Sequence, residues 1–276
     1  MTIKPPLPYD TATQYHGLRA PERVPLIVLY QPQMAENIGM VARAMANCGL
    51  SRLALVQPRD GWPNKDAWPT ASGAEAILNN AGLFDRLTDA VADCTLVFGS
   101  CAFERELIKP VLTAETAAQA IRTAHASHQQ TAIVFGPERT GLTKDDLALC
   151  DGVITIPLNP EFASLNLAQA VLLTGYAWWH AAVIAPQKTQ TAAVLDVLVL
   201  QEAESATQND MDNLFENLLW ALEQKNYFTN LQNKPAMLRN ARSFLQRMRL
   251  TKQEARTGHG MLKALLDGRM WVKDKS

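Results

Sequence analysis

The stretch DGVITIPLNPEFASLNLAQAVLLTGYAWW, Asp151 to Trp179, decides how the chain is read. It opens with a short β-branched apolar run, Val153 to Ile156, which predicts a buried strand. Pro157 cannot donate to a sheet ladder, so the strand ends there. A polar loop from Asn159 to Ala163 follows, stiffened by Pro160. Ser164 stands directly before a long apolar-periodic segment, in the place of a helix N-cap. A rigid loop therefore joins the carboxyl end of a strand to a helix N-terminus, carrying Ser164 and Asn166 into one small space. Open α/β sheets bind ligands at such a place. The alternative is that Ser164 is only a cap and Asn166 only a first-turn residue.

Working outward, Pro25 to Tyr30 (PLIVLY) and Arg52 to Val56 (RLALV) predict two more strands. Between them, Asn37 to Gly49 places Ile38, Val41, Ala42 and Met45 on one helical face and closes on a C-terminal glycine. Gln57 to Ala71, with Trp62, Pro63, Trp68 and Pro69, is long for a connection and is expected to be a functional flap. A helix is expected around Ala74 to Asn80, a strand over Thr95 to Phe98 ending at Gly99, and a helix over Ala114 to Ala126. Thr131 to Phe135 predicts a strand ending at Gly136-Pro137-Glu138, and Thr143 is expected to cap a short helix reaching Cys150. This alternation predicts a parallel sheet flanked by helices. Residues 1–24 read as a loose tail, 25–185 as the α/β domain and 186–200 as a linker. Residues 201–276 read as an all-helical extension with an acidic first part and a basic last part.

Bulk properties narrow the function classes. The 276 residues carry a net charge of −1 and are 47% hydrophobic, so the chain can build a real core. The overall charge does not decide for or against nucleic acid; the basic C-terminal run is either a phosphate-tracking surface or a solvated helical face. Cys48, Cys94, Cys101 and Cys150 form no CxxC pair and read as core residues in a reducing compartment. The histidines show no metal-ligand spacing, and His125 and His128 are expected at a solvated helix end. No secretory signal is evident and Leu165 to Ala185 is interrupted by Asn166, Gln169 and His180, so the expectation is a cytoplasmic protein without membrane or metal. Trp178, Trp179 and Trp220 are expected in cores or in a subunit seam.

Three predicted strand ends, at Gly99, Gly136 and Ile156, meet in one crevice if their strands are neighbours. Their glycines and prolines let backbone amides approach a flat ligand. Gly136 to Thr143 (GPERTGLT) comes close to a phosphate-binding loop, but Leu142 stands where that loop needs lysine, which argues against nucleotide hydrolysis.

Three blocks then carry a resemblance. They are Asn37-Ile38-Gly39 with Ala42-Arg43, Phe135 to Leu142 (FGPERTGL), and Ile156-Pro157-Leu158 with Ser164 to Ala168 (SLNLA). In this order they resemble the motifs of SpoU-type (SPOUT) RNA ribose 2′-O-methyltransferases, over roughly residues 25–180. The loop NPEFASLN, the Ser100-Cys101-Ala102 segment and the helical extension are similar to the TrmJ branch. That branch methylates cytidine or uridine at position 32 of the tRNA anticodon loop. Phe103 and Glu104 depart from it, standing before Arg105 where the branch carries basic residues.

The resemblance implies a C-terminal trefoil knot, an obligate homodimer with the site near the subunit interface, and S-adenosyl-L-methionine as methyl donor. It implies Ser100, Cys101, Ala102, Gly136, Ile156, Ser164 and Leu165 as cofactor-binding residues. It implies Arg43, Asn37, Glu138, Ser164 and Asn166 as the catalytic set. Arg43 is either the base proposed in the family or, because a guanidinium keeps its proton, a cation that orients a phosphate and acidifies the hydroxyl. Asn37 and Asn166 would position Arg43 or the ribose, and Glu138 is either catalytic or a brace for the loop. The substrate implied is tRNA; other readings are another tRNA or rRNA nucleotide, or a non-catalytic RNA-binding module on the same scaffold.

Overall fold

The computed structural model describes residues 22–101, 109–184, 204–228 and 232–266. Seven strands form one parallel sheet: β1 Leu26–Tyr30, β2 Leu53–Val56, β3 Gly82–Phe84, β4 Leu96–Ser100, β5 Val111–Thr113, β6 Thr131–Phe135 and β7 Gly152–Thr155. Their order across the sheet is β3-β2-β1-β6-β4-β7-β5. The helices are α1 Ala35–Asn47, α2 Trp68–Ala71, α3 Glu75–Asn79, α4 Leu87–Val91, α5 Ala114–Ala126, α6 Lys144–Ala148 and α7 Leu167–Trp179. After them come α8 Gln208–Gln224, α9 Lys234–Met248 and α10 Lys252–Leu266.

Period-two alternation sorts the strand residues into two cores. Ile27, Leu29, Leu53, Leu55, Phe98, Ile133, Phe135 and Ile154 face α1, α5 and α7. Val28, Ala54, Val56, Val97, Ala132, Val134 and Val153 face α4 and α6 with Leu142. Both faces are covered, which is why the strands read as unbroken apolar runs. The predicted parallel sheet and its flanking helices are thus present. Sequence reading passed over β3, β5 and α4, each only three to five residues long.

Helices α8, α9 and α10 build a third, smaller core around Met211, Leu214, Phe215, Leu245 and Ala255. They dock on the α4/α6 side of the sheet. Gln208 and Asn209 donate backbone bonds to Cys94 and Ala92, and Arg239 of α9 pairs with Asp145 of α6 at 3.3 Å. The expected tail up to residue 21 and the expected linker lie outside the described residues. Val24, at the end of that tail, is buried.

β7 enters between β4 and β5, two strands that the chain joins through residues 101–110. Residues 102–108 of that connection lie outside the described residues.

Two expectations are corrected. The 57–71 stretch is a packed clamp and not an open flap: a 3₁₀ turn at Lys65–Ala67 runs into α2. Thr70 Oγ1 donates to Glu36 O on α1 at 2.9 Å, and Trp62 stacks on Trp68 with ring centroids 5.3 Å apart. Gly39 is what lets the clamp close. A Cβ there would lie 1.9 Å from Ala67 O and 2.1 Å from Thr70 Oγ1. His125 is not at a solvated end. It is half-buried, its Nε2 lies 2.8 Å from Thr131 Oγ1, and its ring meets Trp178 edge-on at 5.3 Å. His128 is exposed as expected. Trp178 is buried and Trp179 partly so, while Trp220 stands 54% exposed.

Gly39→Ala is expected to destabilise the protein by about 1–3 kcal/mol or more in urea unfolding, the usual range for overpacking. Burial lowers the His125 pKa to about 4. The unfolded chain therefore binds this proton first as pH falls. Stability from His125 should be fully present above about 6.5 and decline toward pH 4; comparing wild type with His125→Gln across that window measures it.

Candidate active site

The sequence placed three strand ends together, and the sheet makes them neighbours: β6, β4 and β7 are adjacent. Gly99 pairs in register with Val134 on one side and Val153 on the other. Ser100, Gly136 and Ile156 therefore stand at one edge, at the carboxyl ends of three parallel strands. All three are partly exposed, while Cys101 is buried with its N–H donated to Ile154 O at 3.0 Å. Ala102 lies outside the described residues.

The loop after β6 folds tightly on itself. Gly141 N donates to Pro137 O at 2.8 Å, and a Cβ at Gly136 would lie 2.4 Å from Leu142 N. Leu142 is fully buried. It plugs the second core at the place where a nucleotide hydrolase would need a phosphate-binding lysine. Thr143 caps α6 with a capping box to Asp146, as predicted.

Glu138 in this loop starts a chain of hydrogen bonds. Its two carboxylate oxygens accept from Gln33 N and Asn37 Nδ2, each at 2.8 Å. Asn37, 4% exposed at the start of α1, accepts at Oδ1 from Asn166 Nδ2 at 3.1 Å. Asn166 Oδ1 then accepts from Ala168 N at 2.8 Å. One residue from each of the three sequence blocks is thus joined to the next.

Asn166, and not Ser164, is the N-cap of α7. Gln169 Oε1 completes the box by accepting from Asn166 N at 3.1 Å. Serine and asparagine cap equally well, and the choice falls to the residue with Gln three positions on. That Asn-x-x-Gln signal was readable, as was nothing that named Gln33. Ser164 is freed from capping: it is exposed, two residues before the cap. Leu165 beside it is partly buried.

Helices α1 and α7 lie side by side. Their N-termini meet at the Asn37–Asn166 bond, and the Cys48 thiol at the end of α1 sits 3.9 Å from Leu172 O. Two helix N-termini pointing at one place favour an anion there. Arg43 lies six residues beyond Asn37 on α1, about 9 Å along the axis. It is exposed and, among the described residues, makes no hydrogen bond or ion pair. Arg139 in the Glu138 loop is also exposed. The arrangement offers fixed amides, a part-buried polar chain and two guanidinium groups open to solvent. The same outer side of α1 and α7 exposes Met40, Leu172, Leu173 and Tyr176, between 37% and 58%.

Burial raises the thiol pKa to about 11 in Cys48 and about 12 in Cys94 and Cys150. Those three are core residues, as expected, and not nucleophiles at neutral pH. No helix among the described residues is long and apolar enough to cross a membrane.

A profile of the SpoU rRNA Methylase family matches residues 25–176. A Cronobacter sakazakii tRNA (cytidine/uridine-2′-O-)-methyltransferase TrmJ is 35% identical over 249 residues, 88% of this chain and 96% of that protein. The tRNA (cytidine/uridine/adenosine-2′-O-)-methyltransferase TrmJ of Pseudomonas aeruginosa is 35% identical over 192 residues, covering 70% and 74%. Among solved structures, TrmJ from Z. mobilis ZM4 superposes with a TM-score of 0.78 at 41% identity, covering 88% of this chain and 100% of that one.

Removing the carboxylate leaves the buried Asn37 amide and Gln33 N without an acceptor. Glu138→Ala is therefore expected to cost about 1–3 kcal/mol in denaturant unfolding, with Glu138→Gln restoring part of it by keeping one acceptor oxygen.

Proposed function

Because the chain belongs to the SpoU rRNA methylase family, we propose that it methylates a ribose 2′-hydroxyl of tRNA with S-adenosyl-L-methionine as donor. The target in this reading is cytidine or uridine at position 32 of the anticodon loop, the nucleotide the resemblance implies. The observation that carries the reading is the hydrogen-bond chain Glu138–Asn37–Asn166. It draws the three blocks of the family pattern into one site, which composition and periodicity do not require.

The residues present fit the donor. A flat base with a sulfonium side chain suits a crevice walled by the main chain at Ser100, Cys101 and Gly136 and by the aliphatic Ile156 and Leu165. The tight Gly136 loop leaves no room there for a larger residue. When bound, the donor supplies an electrophilic methyl group on positive sulfur. Held by these residues, the donor would pass its methyl group to the 2′-oxygen and leave as a neutral thioether, with the hydroxyl proton passing to solvent water.

The chain's own residues ready the sugar. Arg43, as a permanent cation, steadies the adjacent phosphate and favours the alkoxide character of the attacking oxygen. Asn37 and Asn166, locked by Glu138 and by the α7 cap, give fixed hydrogen-bonding groups that aim the ribose. Ser164, exposed and released from capping, donates to donor or sugar in this reading. The meeting N-termini of α1 and α7 favour a backbone phosphate.

The homodimer and the knot belong to the same reading. The apolar strip Met40, Leu172, Leu173 and Tyr176 on parallel helices is a face that a second copy covers. It shares α1 with Arg43, which brings the site near the seam. The entry of β7 between two strands already joined supports the threading.

The C-terminal helices contribute less free charge than their sequence suggests. Lys234 pairs with Glu223, Arg239 with Asp145, Arg242 with Asp212 and Glu216, and Lys252 with Glu204. These bind helices to one another and to the core. Arg256 and Lys263, both exposed on α10, are among the cations available to RNA phosphates.

Incubating tRNA with enzyme and isotope-labelled donor, then digesting it for mass spectrometry, should place one labelled methyl on the ribose at position 32; unlabelled tRNA would refute the activity. Arg43→Ala is expected to lower turnover by about a hundredfold or more while S-adenosylhomocysteine affinity stays near wild type. Leu173→Glu should convert a dimer to monomers in light scattering. Reversing Arg256 and Lys263 to Glu should weaken tRNA binding and flatten its salt dependence, leaving donor affinity unchanged.

A further inference from the structure

Charged side chains are seldom taken out of water, yet among the described residues three lie buried: Asp146, which closes the α6 capping box, and, away from the candidate site, Lys109 and Asp151. Lys109 is 9% exposed and Asp151 8%. The Lys109 ammonium donates to Ala148 O at 3.0 Å and to Cys150 O. Those are carbonyls at the C-terminal end of α6, where a cation also meets the negative end of the helix dipole. Asp151 comes next in the chain. Its Oδ2 accepts from Val97 N at 2.7 Å, and its own N–H donates to Val97 O at 2.7 Å. Gln246 of α9 approaches Oδ1 at 3.5 Å. Burial lowers the Lys109 pKa and raises that of Asp151 to about 6, each opposed in part by the other's charge. Burying either charge is unfavourable unless hydrogen bonds replace its water, and both have such bonds.

Its place in the fold explains what the ammonium does. The connection that leaves β4 enters β5 at Val111, and both described ends of it are tied to β7. Cys101 N donates to Ile154 O at 3.0 Å, and Val153 N donates to Pro110 O at 2.8 Å. Lys109 adds the side-chain part of the second tie. Helix α6, only five residues long, lies between the Gly136 loop and β7. So short a helix is positioned by what holds its ends. The Thr143–Asp146 box holds the first, Lys109 the second, and α9 backs its outer side through Arg239.

We infer that Lys109 is a positioning residue for the donor crevice. By gripping the carbonyls at the end of α6, it sets the spacing between the Gly136 loop before that helix and the Ile156 end of the strand after it. This rests on the donor-binding reading given above. Lys109 touches neither donor nor RNA in this assignment; it acts through α6 and β7.

The test uses full-length Lys109→Met and Lys109→Gln, with S-adenosylhomocysteine titration, steady-state methylation of tRNA and thermal melting. The Met variant should raise the S-adenosylhomocysteine Kd and the donor KM about tenfold, the equivalent of one lost buried hydrogen bond. Its kcat at saturating donor and its tRNA KM should stay within about twofold. The shorter Gln side chain, still a donor, should fall between Met and wild type, and it carries the test if the Met variant does not fold. Wild-type donor affinity in either folded variant overturns the inference. So does a parallel loss of donor affinity, tRNA affinity and kcat in step with the melting temperature, which marks a merely structural lysine. Wild-type protein that binds no S-adenosylhomocysteine overturns the donor reading itself.

Discussion

The structure turns on one part-buried hydrogen-bonded chain, in which the Glu138 carboxylate holds the Asn37 amide and Asn37 holds Asn166. Glu138 sits on the loop after β6, Asn37 at the head of α1 and Asn166 at the head of α7. These lie far apart in sequence. Once the three are joined, neither helix can slide along the sheet without breaking a part-buried polar contact. Everything proposed for the site depends on that fixed geometry: the parallel N-termini of α1 and α7, the exposed Ser164, and Arg43 further along α1. The polar chain also has to be complete, because an asparagine with 4% exposure is costly unless its groups are matched.

The glycines of the family pattern acquire separate physical reasons. Gly39 does not touch the polar chain. It lets the Lys65–Ala71 clamp press on α1, with a carbonyl 1.9 Å from where a side chain would begin. Gly136 allows the next loop to double back over Leu142. One motif glycine thus serves packing of a helix and the other shapes the crevice wall. Sequence alone makes the two look alike.

Much of the architecture was legible because it is written in strong periodicities. The runs at 26–30, 53–56 and 131–135 are too short and too apolar for anything but buried strands. The Ala114–Ala126 helix is found at its expected bounds, and the structure adds its Thr113 cap. The neighbouring of the Gly99, Gly136 and Ile156 ends followed from their loop chemistry and is borne out by the strand order. What stayed hidden was set by tertiary contact. β3 and β5 are three residues long and exist only by pairing at sheet edges. The N-cap of α7 fell to Asn166 because Gln169 and Asn37 both bind it, and only one of those contacts is local in sequence. The 57–71 stretch carries loop residues, yet its tryptophans stack on each other and Thr70 finds its partner on a helix more than thirty residues earlier. Lys109 and Asp151 gave no signal, since each looks like an ordinary surface charge until the sheet brings them together. In the basic C-terminal run, Lys234, Arg239, Arg242 and Lys252 have acidic partners that only the folded chain brings to them.

A crystal structure of the protein with S-adenosylhomocysteine tests the central claim most directly. The account predicts the ligand seated between the loops of Ser100, Gly136 and Ile156, within hydrogen-bonding distance of their main-chain groups, with its sulfur turned toward the Asn37–Asn166 side. A ligand bound elsewhere on the chain, or those three loops parted around an empty crevice while the ligand sits outside it, would contradict it.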